Sequence, residues 1–144
     1  MQPLPGGTGR EDLRRTWLVA WQKARLRQPL TALEAMLADV LQLHPEYQDL
    51  LADPDVLTLD WTPEGAQTNP FLHMGLHVAL AEGIAADRPA GLRAEYERLR
   101  RSQDRHDADH LLLECLAETL WQAERAGLPP DESEFLARAR RVPG

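Results

Sequence analysis

The stretch "NPFLHMGLHVALAEG", residues 69–83, decides the fold class. Asn69 is a good N-cap and Pro70 suits a first helical turn, so the segment opens as a helix, and the spacing predicts that it runs to about Ala86. The residues that follow are almost all apolar, apart from two imidazoles, His73 and His77. Residues four apart on a helix differ by only about 40° in direction and about 6 Å in height. The two rings therefore point the same way, and their stripe continues through Leu80 and Ile84. A helix that is apolar on the side carrying its histidines holds them toward a protein interior.

Downstream, "RHDADHLLLECLAETLW", residues 105–121, repeats the spacing with His106 and His110 and places Glu114 at the next interval of four. This helix is expected over about 106–126, with its stripe continuing through Leu113, Ala117 and Leu120 and with Gly127 as its C-cap. Asp104, Asp107 and Asp109 at its start suit the positive end of the helix dipole, or could orient an imidazole. Between these two helices, "DRPAG" restarts the chain, and a helix to about Gln103 turns Leu92, Tyr96 and Leu99 inward. "RLRRSQDR" at its end reads as a solvated basic run.

Upstream the helical period persists. Leu13, Trp17, Ala20, Trp21 and Ala24 share one face of a helix over about 11–27, which Pro29 follows. A helix over about 31–43 turns Leu33, Leu37, Val40 and Leu41 to one side, and Thr31 with Glu34 makes a capping box. "HPEYQDLLADP" reads as a short helix from Pro45 that ends before Pro54, and His44 reads as a capping residue at the end of the helix before it, the alternative being a fifth metal ligand. Residues 53–69 look irregular; Val56, Leu57, Leu59 and Trp61 suit a folded-down connector, the alternative being a lid over a site. At the C-terminal end, "LPPDESEFLARARR" holds a last helix with Phe135, Leu136 and Ala139. The fold class is all-α, a compact bundle of about five to seven helices with short accessory helices. The expected organisation is a flexible lead-in over residues 1–10, rich in Pro and Gly, and a single helical domain over 11–144.

Composition narrows the function. A net charge of −7 disfavours general nucleic-acid binding, which needs a surplus of Lys and Arg. The one cysteine, Cys115, excludes an intrachain disulfide and a CxxC metal site. Set among leucines, it reads as a buried, inert thiol. No apolar run approaches a membrane span and no signal peptide is evident, so a cytoplasmic setting is expected. There is no phosphate-binding glycine loop and no GxSxG element. Trp17, Trp21 and Trp121 fit helical core faces.

The histidine pairs carry the chemistry. Random placement of five histidines in this length would give roughly 0.1 pairs at spacing four, against two here. If helices four to six run up, down and up, the two pairs meet at one end of the bundle. Neutral imidazole keeps a lone pair at pH 7, so two such pairs can grip one ion tetrahedrally, or two ions bridged by a carboxylate. The expected ligands are therefore His73, His77, His106 and His110, with Glu114 as a further ligand or as general base. A lone carboxylate in an apolar run costs several kcal/mol unless something pairs with it. The ion would be a divalent transition metal, zinc or iron foremost, and the chemistry hydrolysis by activated water, redox or sensing.

At "QTNPFLHMGLHVAL" and "HDADHLLLECLAETLWQAERAGLPPDE", with "QPLTALEAMLADVLQLHPEYQ" upstream, the chain resembles a bacterial family known as domain of unknown function 1841, over roughly residues 16–140. The matching positions are His44, Asn69, Pro70, His73, His77, Asp87, Arg88, His106, His110, Glu114 and Trp121. The resemblance implies a small, single-domain bacterial protein and brings no activity with it. Two rivals to the metal site stand beside it: an interaction module for another protein, whose histidines form a hydrogen-bonded polar core, and a pH sensor.

Overall fold

A computed structural model of the chain describes residues 9–59 and 69–144. Seven helices make up the described residues, with no strand among them: α1 (Gly9–Arg25), α2 (Ala32–Gln42), α3 (Pro45–Leu51), α4 (Pro70–Ala86), α5 (Leu92–Arg100), α6 (Arg105–Ala126) and α7 (Glu132–Arg141). The all-α class and the helix positions follow the hydrophobic period. No described helix is long and apolar enough to cross a membrane. The expected lead-in lies outside the described residues over 1–8, as do 60–68 of the expected irregular loop, Trp61 included.

The ends of the helices have local causes. Thr31 and Glu34 form the reciprocal capping box at the start of α2. The Asn69 carboxamide oxygen accepts the Phe71 N–H at 2.9 Å, which opens α4. Asp104 accepts the Asp107 N–H at 2.8 Å at the start of α6, and Gly127, in the left-handed region at φ 67°, closes it. Between α4 and α5 the Asp87 carboxylate takes the N–H groups of Gly91 and Arg93. These bonds, that of Arg93 first, hold its carboxyl below the usual aspartate range.

The chain divides into two compact units, one up to Met74 and one from Gly75, and α4 runs unbroken from one into the other. In the first unit α1 packs chiefly on α2, and α2 on α3. Trp17, Ala20, Leu37, Leu41, Tyr47 and Leu51 are buried there. Arg14 is buried as well, at 2 % exposure. Its Nη1 donates to the carbonyls of Val56, Leu57 and Leu59 at 3.1, 3.2 and 2.6 Å, and its guanidinium lies 4.8 Å from the centre of the Phe71 ring. The start of the irregular segment is thus folded down as a connector, with Val56 buried and backbone oxygens turned to a cation. Leu13, expected inward, is 61 % exposed, and the adjacent Arg14 takes the inward place. Leu33, in the first turn of α2, is exposed too.

In the second unit α6 packs on α7 and α5, and α5 on α7. Leu80, Leu92, Leu99, Leu112, Leu113 and Phe135 form its core with Ala108, Cys115 and Ala139. Cys115 is buried, as expected, and burial raises its thiol pKa. Trp121 is not a core residue: it is 51 % exposed, with the Arg125 guanidinium 4.7 Å over its ring. Ala117, expected on the inward stripe, is also exposed.

Candidate metal centre

The first unit contributes His44 and His73. His44 is the N-cap residue of α3, directly before Pro45, and is 1 % exposed. Its Nδ1 lies 2.7 Å from the carbonyl oxygen of Val40, at the C-terminal end of α2. A carbonyl can only accept, so Nδ1 carries the hydrogen and donates it, which leaves Nε2 with the lone pair. A backbone carbonyl that fixes the tautomer in this way is a recurrent partner of metal-binding histidine. The His44 ring stacks on Tyr47, with centroids 4.7 Å apart and planes 19° apart. It also meets the half-buried His73 edge-on at 6.1 Å, and Tyr47 lies 6.1 Å from His73. Tyr47 is buried, and desolvation pushes its phenol pKa up to about 12.

The second unit contributes His77, His106 and His110. His77 is 4 % exposed. Its Nε2 lies 3.2 Å from Nε2 of His110 on α6, and the two rings are 5.1 Å apart at their centroids. His106, one turn earlier on α6, packs against His110 at 4.1 Å between centroids. His106 and His110 are both half-buried.

Helix α4 carries a member of each group, since His73 and His77 stand on successive turns of it. His44 neighbours the first of these rings and His110 the second. These four histidines, 44, 73, 77 and 110, form a cluster that could hold a metal ion.

Two expected site residues fall outside that group. His106 lies beside His110 rather than among the four. Glu114 is exposed. The cause is angular: seven residues turn a helix by about 700°, within about 20° of two full turns. Glu114 therefore lines up with Asp107 before it and Trp121 after it, and all three are exposed. The carboxylate faces water and needs no buried partner. His44, expected as a cap at the end of α2 with a fifth ligand as the alternative, bonds the Val40 carbonyl at that helix end and also joins the group. It stands alone in sequence, and only the fold brings it to α4. The signal available was Pro45 after it, which makes position 44 a helix boundary with a fixed backbone direction.

The family model for a domain of unknown function, DUF1841, matches residues 9–141, nearly the whole chain. The chain belongs to the DUF1841 family. The match covers all seven helices of this DUF1841 chain and every histidine named above. No curated protein and no solved structure matches it.

Proposed function

We propose that this DUF1841 protein binds a divalent transition metal ion through His44, His73, His77 and His110. The observation that carries this reading is the 3.2 Å approach of two imidazole Nε2 atoms, those of His77 and His110. Around an ion with bonds of about 2.0–2.1 Å, two tetrahedral ligands stand about 3.3 Å apart. The spacing of this pair is that of two ligands on one centre. One ring nitrogen from each of the four histidines lies within 4.8 Å of the others, so closing on one ion asks only a small inward movement of the widest-spaced rings. The His44–Val40 bond supports it further, because it presents Nε2 as the donor.

All four donors are neutral nitrogens, a set suited to zinc, copper, nickel or iron rather than to calcium or magnesium. An ion bound this way would keep its full positive charge and polarise a water or substrate oxygen wherever a position stayed open. Hydrolysis, redox chemistry and sensing are all compatible with that donor set. Glu114 has no place in the proposal, because it faces solvent.

The second reading rests on the same contact. Without metal, one of the two Nε2 atoms carries a proton and donates it to the other, giving a hydrogen-bonded polar core. Metal analysis of protein purified without a histidine tag decides between them. The metal reading expects about one equivalent of metal, lost in His77→Ala and in His110→Ala, with both variants still helical by circular dichroism. Metal-free protein that takes up no added zinc and ignores chelator establishes the polar core instead.

A further inference from the structure

The second unit holds three imidazoles in series. His106, His110 and His77 follow one another with centroid separations of 4.1 and 5.1 Å. His106 and His110 are half-buried, and His77, at the end of the series, is 4 % exposed. Only the last two belong to the group of four. His106 has the same chemistry and adjoins the group, yet it is not part of it.

We propose that His106 is the receiving ligand for the metal ion, the side chain that first takes the hydrated ion and passes it to His110 and then His77. The inference rests on the metal-binding reading above. A hydrated divalent ion loses its water stepwise, and each exchange is easier when the incoming donor is in reach before the outgoing one leaves. Two nitrogens can share one ion with bonds of about 2.0–2.1 Å only if they lie within about 4.2 Å of each other. The 3.2 Å approach of the Nε2 atoms provides it for His110 and His77, and ring centroids 4.1 Å apart leave a rotation of the His106 ring to provide it for His106 and His110. At each step one metal–water or metal–nitrogen bond breaks as one metal–nitrogen bond forms, and the ion's charge is unchanged.

A permanent ligand and a receiving ligand differ in what their loss does. Removing a permanent ligand lowers the stoichiometry or alters the coordination spectrum. Removing a receiving ligand slows entry and exit together and leaves the final complex as it was.

The test uses the full chain, metal-stripped, with cobalt(II) chloride as the probe, because its visible bands report coordination geometry. Stopped-flow mixing gives the association rate, and an excess of EDTA gives the release rate. His106→Ala is expected to reach the wild-type stoichiometry and spectrum, with both rates lower by about tenfold, the low end of the effect of groups that support metal ligands. His106→Gln provides a second variant of similar size should the alanine form fold poorly. Loss of stoichiometry or a changed spectrum in a folded variant overturns the proposal by making His106 a permanent ligand. Unchanged rates overturn it by making the ring a packing residue. Wild-type protein that binds no cobalt defeats the metal-binding reading itself, an outcome separate from either of these.

Discussion

Replacing Arg14 with alanine is the sharpest structural test of the first unit. The side chain is 2 % exposed, and its Nη1 is shared among the carbonyls of Val56, Leu57 and Leu59. That nitrogen has only two hydrogens, so the three contacts count as about two full bonds. Hydrogen bonds to a charged group contribute about 1.5–3 kcal/mol each, which puts the loss at about 3–6 kcal/mol. The truncation also removes the contact with Phe71 and leaves the carbonyls to find water. Urea denaturation followed by tryptophan emission reads the change, since Trp17 is buried in the same unit. The expected result is a lower midpoint with an unchanged slope. Arg14→Lys, which keeps the charge but not the planar fork, should lie between wild type and alanine. A loss below about 1 kcal/mol for Arg14→Ala would refute the reasoning, because it would mean that the carbonyl collar contributes no more than one ordinary exposed hydrogen bond.

Three further outcomes are expected. Tyr47 has its phenol raised to about 12 in the folded protein, against about 10 in the unfolded chain, so the folded state disfavours the phenolate. Its contribution is therefore complete below pH 10 and fades as pH rises toward 12; melting curves of metal-free protein should fall over that window, and Tyr47→Phe should flatten the fall. Glu34 is held below the usual carboxylate range, first by the Thr31 N–H and then by Lys23, so its contribution is present above its unfolded value near 4.5 and is lost as pH drops below that; Glu34→Gln should show a shallower acid decline in melting temperature, and Thr31→Ala should cost about 1 kcal/mol at pH 7. At Gly83 an added Cβ would lie 2.9 Å from the Arg88 carbonyl oxygen and 3.3 Å from Leu92, so Gly83→Ala should destabilise by about 1–3 kcal/mol, and an equal or higher melting temperature would contradict that contact.

Much of this architecture was written in local pattern. Asn69-Pro70, the Thr31–Glu34 pair and Gly127 each mark a helix end through one or two hydrogen bonds between near neighbours, and such marks survive whatever the rest of the fold does. The inward faces were legible along most of the apolar stripes, as with Leu37, Val40 and Leu41 or with Leu92 and Leu99, although Leu13, Leu33 and Ala117 on such stripes are exposed. Reading was less secure where a polar residue lay inside, because the partner that permits it is remote: Arg14 meets carbonyls more than forty positions away. Spacing also gave Trp121 to the core although its stripe, shared with Asp107 and Glu114, faces water.

The site divides along the same line. His77 with His110 followed from two turn-spaced pairs on apolar helices. His44 was legible as a cap of α2, but its place among the ligands stayed the weaker alternative, because nothing within four residues of it repeats its chemistry. Glu114 was drawn in by counting fours along α6 without subtracting the 40° that each step adds.

X-ray absorption at the zinc edge, on tag-free protein reconstituted with one equivalent of zinc, addresses the central claim most directly. The four-histidine centre predicts a first shell of about four nitrogens at about 2.0–2.1 Å, with the outer scattering of imidazole rings. A first shell of oxygens at hydrated-ion distances, or zinc that washes out on dialysis, would contradict it.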